Sequence, residues 1–203
     1  MIVSFFFELL QYFGIDFFGF LLYNYCKRLS CMERFQCFGI LWNDKYEFLK
    51  DFLKDVDSYF NIEKLYFLDI NNSSYEIVKH VYPEMMPDEY AVYKADMLNR
   101  HNCSQVVVFS FCVDSPDYLY NSEEFQNYCV QVKNLKMFLR EKYTSLIKDY
   151  EHDILAHFAD NEYESSLVKN TLNNNKSKIT KVLRFDQLES EFNSNQGENL
   201  CIE

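Results

Sequence analysis

His157 closes the short apolar run of residues 154–156. Asp160 follows three residues later, and Glu162 and Glu164 open an acidic stretch. An imidazole at the end of a buried strand can act as a nucleophile when a carboxylate accepts its second ring proton and fixes its tautomer. Asp160 is suited to cap a helix beginning at Asn161, and a first-turn carboxylate, Glu162 or Glu164, could then orient His157. The plain alternative is a strand-end histidine followed by an ordinary capped helix.

The other reactive side chains are less suggestively spaced. His152 and His157 are five apart and would need Asp153 or Asp160 to form a zinc site, but a strand presents such residues imperfectly to one point. His80 and His101 fall near helix ends, where capping or solvation is expected. Cys112 lies inside an apolar strand and reads as an inert buried thiol. Asp114 and Asp117 flank Pro116 in a loop and are expected to shape a turn, although they could hold a cation.

The elements that must position these residues come from the hydrophobic pattern. Residues 38–42, 65–70, 105–113 and 154–156 read as strands. Tyr46, Leu49, Phe52, Leu53, Val56 and Phe60 repeat at helical spacing, and helices are predicted over 75–82, 88–99, 123–132, 135–146 and 161–172. Residues 114–121 read as a loop. Residues 173–178 and 189–203 are polar and read as disordered, with a short helix around 179–188. The order suggests a ferredoxin-like split β-α-β sandwich, an α+β fold with a four-stranded antiparallel sheet and added helices. Its domain spans 38–172, between an apolar segment, 1–37, and a polar tail, 173–203. The four glycines, at 14, 19, 39 and 197, cannot build a phosphate loop or a dinucleotide fingerprint, which disfavours a doubly wound sheet.

Composition narrows the function classes. Twenty Lys and Arg against 31 Asp and Glu give a net charge of -11, which repels a nucleic-acid backbone. Seven cysteines, an odd number without a Cys-x-x-Cys pair, fit a reducing, cytoplasmic setting better than a disulfide framework.

The apolar block between Phe5 and Leu22 is nearly long enough to span a bilayer, but Glu8 and Asp16 would each cost roughly 2.5 to 3.5 kcal/mol near the middle of a span. Without a basic leader or a small-residue cleavage site it does not read as a secretory signal. Residues 1–25 are expected to contact a membrane surface, the domain itself or a second protomer, the alternatives being a true span and an upstream extension not native to the fold. Lys27 and Arg28 would then lie on the cytoplasmic side, and Cys26 and Cys31 are candidate acylation sites.

The element order over residues 38–172 and the ending His157-x-x-Asp160 resemble nucleoside diphosphate kinases, in which a histidine before a Gly-Ser-Asp turn carries the phosphoryl group between nucleotides. The resemblance implies a phosphotransferase working through a phosphohistidine on a nucleotide or other phosphorylated substrate, with Mg²⁺ arriving with the nucleotide. It places Arg140, in Phe138-Leu139-Arg140-Glu141-Lys142-Tyr143, where the family's phosphate-holding arginine stands, and Tyr82 near the histidine. The chain departs from the family at Trp42-Asn43-Asp44, where the family has Lys-Pro-Asp, leaving Lys45 as a substitute cation with Lys142. It departs again at Phe158 and Ala159 beside the histidine, with Phe158 expected to crowd a nucleotide. Arg140 and Lys142 read equally as a solvated helix face with Lys136 and Glu141, and Tyr82, one of 16 tyrosines, as a core or rim aromatic. A degenerate module that binds a ligand or partner without turnover, at a membrane surface or not, is the alternative.

Overall fold

A computed structural model describes residues 34–82, 88–121, 126–151, 154–188 and 190. The apolar block up to residue 33, the His152 and Asp153 of a zinc site, and the polar tail beyond residue 190 lie outside the described residues. The described residues from Phe35 onward cluster as one unit.

The central sheet has five strands in the order β6-β1-β3-β2-β7. These are β1 (Arg34–Leu41), β2 (Ile62–Asp69), β3 (Gln105–Asp114), β6 (Ala156–Phe158) and β7 (Ile179–Leu183). The β1–β6, β2–β3 and β2–β7 pairs are antiparallel. Asp44, just past β1, donates its N–H to the carbonyl of Gln105 at the start of β3, so that pair also runs antiparallel. The order β6-β1-β3-β2 is that of the split β-α-β fold, with β7 added beside β2. The sheet therefore has five strands rather than the four expected.

That fifth strand comes from a stretch read as polar tail and short helix. Ile179, Val182 and Leu183 have helical spacing, but Ile-Thr-Lys-Val-Leu is also a good strand sequence. An open edge of β2 decides between them. Two further differences have similar causes. The loop and helix expected over 114–132 contain the hairpin β4 (Tyr118–Asn121) and β5 (Gln126–Cys129). The last core strand runs two residues later than expected, so His157 lies within β6 rather than after it.

Helices cover both faces. On one, α1 (Leu49–Tyr59) and α4 (Val130–Tyr143) pack over Gly39, Phe109, Phe111 and Phe158. Helix α1 buries Leu49, Phe52, Leu53 and Val56, the spacing that puts one stripe on the core. Asp55 ties the two helices together, accepting from Lys142 Nζ at 2.6 Å and the Tyr143 hydroxyl at 2.7 Å. The other face carries α2 (Ser74–Val81), α3 (Asp88–Arg100) and α5 (Glu162–Asn174). Asn102, at φ 52°, takes the left-handed conformation that ends α3 and turns the chain into β3.

Gly39 is required by packing: a Cβ there would lie 2.2 and 2.3 Å from atoms of the Phe109 ring. Among the described residues no helix is long and apolar enough to cross a membrane.

Candidate functional site

Strand alternation decides where His157 points. His157 pairs with Ile40, and Gly39 pairs with Phe158. His157 and Ile40 therefore share the face covered by α2 and α3, while Phe158 turns to the opposite core against Phe52, Phe109 and Phe111. This corrects one expectation: Phe158 packs on the far side of the sheet from the imidazole and cannot crowd a ligand held there.

The imidazole is 7% exposed. The Tyr82 ring stands edge-on to it at 5.0 Å between centroids, and Tyr82 in turn stacks on Trp42 at 6.2 Å and meets Tyr90 at 5.6 Å. Lys94, on the inward face of α3 between Ala91 and Leu98, is fully buried. Its ammonium lies 4.7 Å from the Trp42 ring and 5.5 Å from that of Tyr82, a cation–π arrangement in a dry setting. Two buried nitrogens in this cluster, Trp42 Nε1 and His157 Nε2, have no hydrogen-bond partner. Burial holds the His157 pKa well below its usual value, and the charges of Lys136, Lys94 and Arg140 push it further down. The imidazole is neutral at pH 7, and the field around it is positive in a chain that is acidic overall.

The structure thus brings Tyr82 against His157 and separates most of the other candidates. Arg140 projects from α4, the helix on the Phe158 side, and reaches His157 through its charge across the short edge strand β6. Lys142 is engaged with Asp55. Lys45 is exposed beyond β1, next to Asp44 and Cys103, whose pKa values burial raises and the Lys45 charge only partly offsets.

The acidic stretch serves the start of α5. Asn161, not Asp160, is the N-cap, its Oδ1 accepting from the Glu164 N–H at 2.9 Å. The Asp160 N–H donates to Glu164 Oε2 at 3.2 Å, so this carboxylate braces the turn instead of the imidazole. Glu162 is exposed and, with Tyr118, Asn127, Asn161 and Tyr163, lines a separate open cavity of about 480 Å³.

The remaining reactive groups have structural roles. His101 Nε2 lies 3.3 Å from Glu151, which also holds Arg100 and the Tyr93 hydroxyl. His80 is exposed in the last turn of α2. Cys112 is half-buried rather than buried, donating to Glu63 at 3.3 Å. The main-chain carbonyl of Asp117 accepts from the Val130 N–H and so fixes the start of α4. Burial pushes the thiols of Cys37, Cys129 and Cys103 up, the last to about 12, which makes them poor nucleophiles. Among the described residues no cluster of three or more His, Cys, Asp or Glu side chains could hold a metal ion.

Sequence reasoning missed Lys94 and Trp42 as members of this cluster, and Lys136 as a charge that bears on His157. A lysine at the helical position that completes the apolar stripe of Ala91, Ala95 and Leu98 was the available sign. Scans against protein-family models and searches of curated proteins and of solved structures find no match.

Proposed function

We propose that this chain is a binding module for a small phosphorylated molecule, built on a kinase-like frame and working without turnover. The observation that carries this reading is the buried His157 imidazole: neutral, under Tyr82, with three cations bearing on it. Positive charge in a low-dielectric site favours an anion, and Trp42 Nε1 and His157 Nε2 supply unused hydrogen-bonding capacity beside Lys94. Turnover needs more, because the nucleophile must meet the phosphorus in line with the leaving oxygen. An imidazole 7% exposed, with an aromatic ring on its edge, does not offer that approach. The free thiols of Cys37, Cys103, Cys112 and Cys129 fit a reducing, cytoplasmic setting.

Trp42 is the only tryptophan, so its fluorescence reports on this cluster. Titration with ADP and with inorganic pyrophosphate should give a saturable change that Lys94→Met abolishes. A flat titration of the native chain refutes the reading. Phosphotransfer through His157 is the second reading, favoured by the neutral imidazole with an unpartnered Nε2. Acid-labile ³²P on the protein after incubation with labelled ATP and Mg²⁺, absent in His157→Leu, would establish it in place of the first.

A further inference from the structure

Strand β7 ends the sheet, hydrogen-bonded to β2 on one side and, among the described strands, to nothing on the other. It is firmly seated: Ile179 and Leu183 pack against the core. Thr180 is the extra residue of a bulge between the Leu68–Ile179 and Phe67–Lys181 pairs, and its hydroxyl is tied to Gln105 and to the Phe67 carbonyl. From Lys181 onward the edge is regular, and Val182 is 52% exposed.

The charge along this edge is unlike the rest of the chain. Residues 176–184 carry Lys176, Lys178, Lys181 and Arg184 and no acidic residue, in a protein of net charge -11. Arg184 has a nearby partner, Asp186 at 3.2 Å, but both are well exposed, and such a pair yields readily to a competitor.

An open edge offers main-chain groups to any extended segment, and the charges on it select which one. A second copy docking edge to edge would oppose one row of lysines to another. We propose that the β7 edge is a docking site for an extended acidic segment of a partner protein, which adds as a sixth strand and sets its carboxylates against Lys178, Lys181 and Arg184. This site lies at the opposite end of the sheet order from β6 and does not depend on the reading of His157.

The test uses the full-length chain and a labelled peptide of alternating Val and Glu, followed by fluorescence anisotropy and by amide hydrogen exchange. Saturable binding that weakens with salt is expected, with new protection of the β7 amides. The variant Lys178→Glu/Lys181→Glu/Arg184→Glu should weaken binding by at least about tenfold while keeping the native thermal midpoint. A peptide of the same charge with alternate residues replaced by Pro should not bind, because it lacks the N–H groups a strand needs. The proposal is overturned if the Pro peptide binds equally well, if the triple variant binds unchanged, or if the β7 amides gain no protection. Sedimentation showing a dimer that the triple variant dissolves would assign the edge to a second copy and also overturn it.

Discussion

Replacing His157 with Leu should remove a specific piece of the pH dependence of folding. In the unfolded chain this imidazole takes up a proton near its ordinary pKa of about 6.5. In the folded chain burial and the charges of Lys136, Lys94 and Arg140 hold its pKa well below that, so the native state binds fewer protons. Above about pH 6.5 both states are neutral and the group contributes nothing to the pH slope. As the pH falls below that value the unfolded state gains a proton that the native state refuses. Stability is then lost at up to about 1.4 kcal/mol per pH unit until the folded pKa is reached. Between about pH 6.5 and 5 the loss is at most on the order of 2 kcal/mol. Urea unfolding of the native chain and of His157→Leu at half-unit steps isolates this contribution, because the other titrating groups are common to both. The difference between the two stabilities should change steadily in favour of Leu as the medium is acidified. Parallel curves through this window would refute the assignment of a buried, neutral imidazole.

Other perturbations probe the frame around the site. Gly39→Ala pushes a methyl group into the Phe109 ring, which is fully buried and held by Phe52, Phe111 and Phe158, and should cost about 1–3 kcal/mol in urea unfolding. A loss below about 0.5 kcal/mol would mean that the Phe109 ring does not lie over Gly39 as described. Tyr143→Phe removes the hydroxyl that donates to Asp55 and should cost about 0.5–1.5 kcal/mol, seen as a lower thermal midpoint; no change would show that Lys142 alone holds the α1–α4 tie. Deleting residues 1–30 should leave the domain with its cooperative thermal transition while removing membrane association or aggregation. A chain that loses the transition assigns those residues to the core.

The fold was largely legible because its strands are short, apolar and rich in Val, Ile and Phe. Residues 105–113 match β3 closely, and the stripe from Leu49 to Val56 marks α1. What failed depended on partners far away in sequence. Strand β7 is decided by the free edge of β2, and the hairpin of β4 and β5 by pairing rather than local preference. At the site, His157 and Tyr82 could be named from the chain, and they do meet. A shift of β6 by two residues was enough to move the imidazole from a strand end to a buried position and to send Phe158 away from it. Lys94 escaped because a helical lysine is normally solvated, and only the fold shows this one enclosed by Trp42 and Tyr82.

The most direct measurement is nuclear magnetic resonance of the His157 ring nitrogens, with ³¹P spectra of the same sample during incubation with ATP and Mg²⁺. The account predicts a neutral imidazole whose resonances shift saturably as nucleotide is added, with no phosphoramidate signal appearing. Growth of a phosphoramidate signal that is lost in His157→Leu, or an imidazole indifferent to nucleotide, would contradict it.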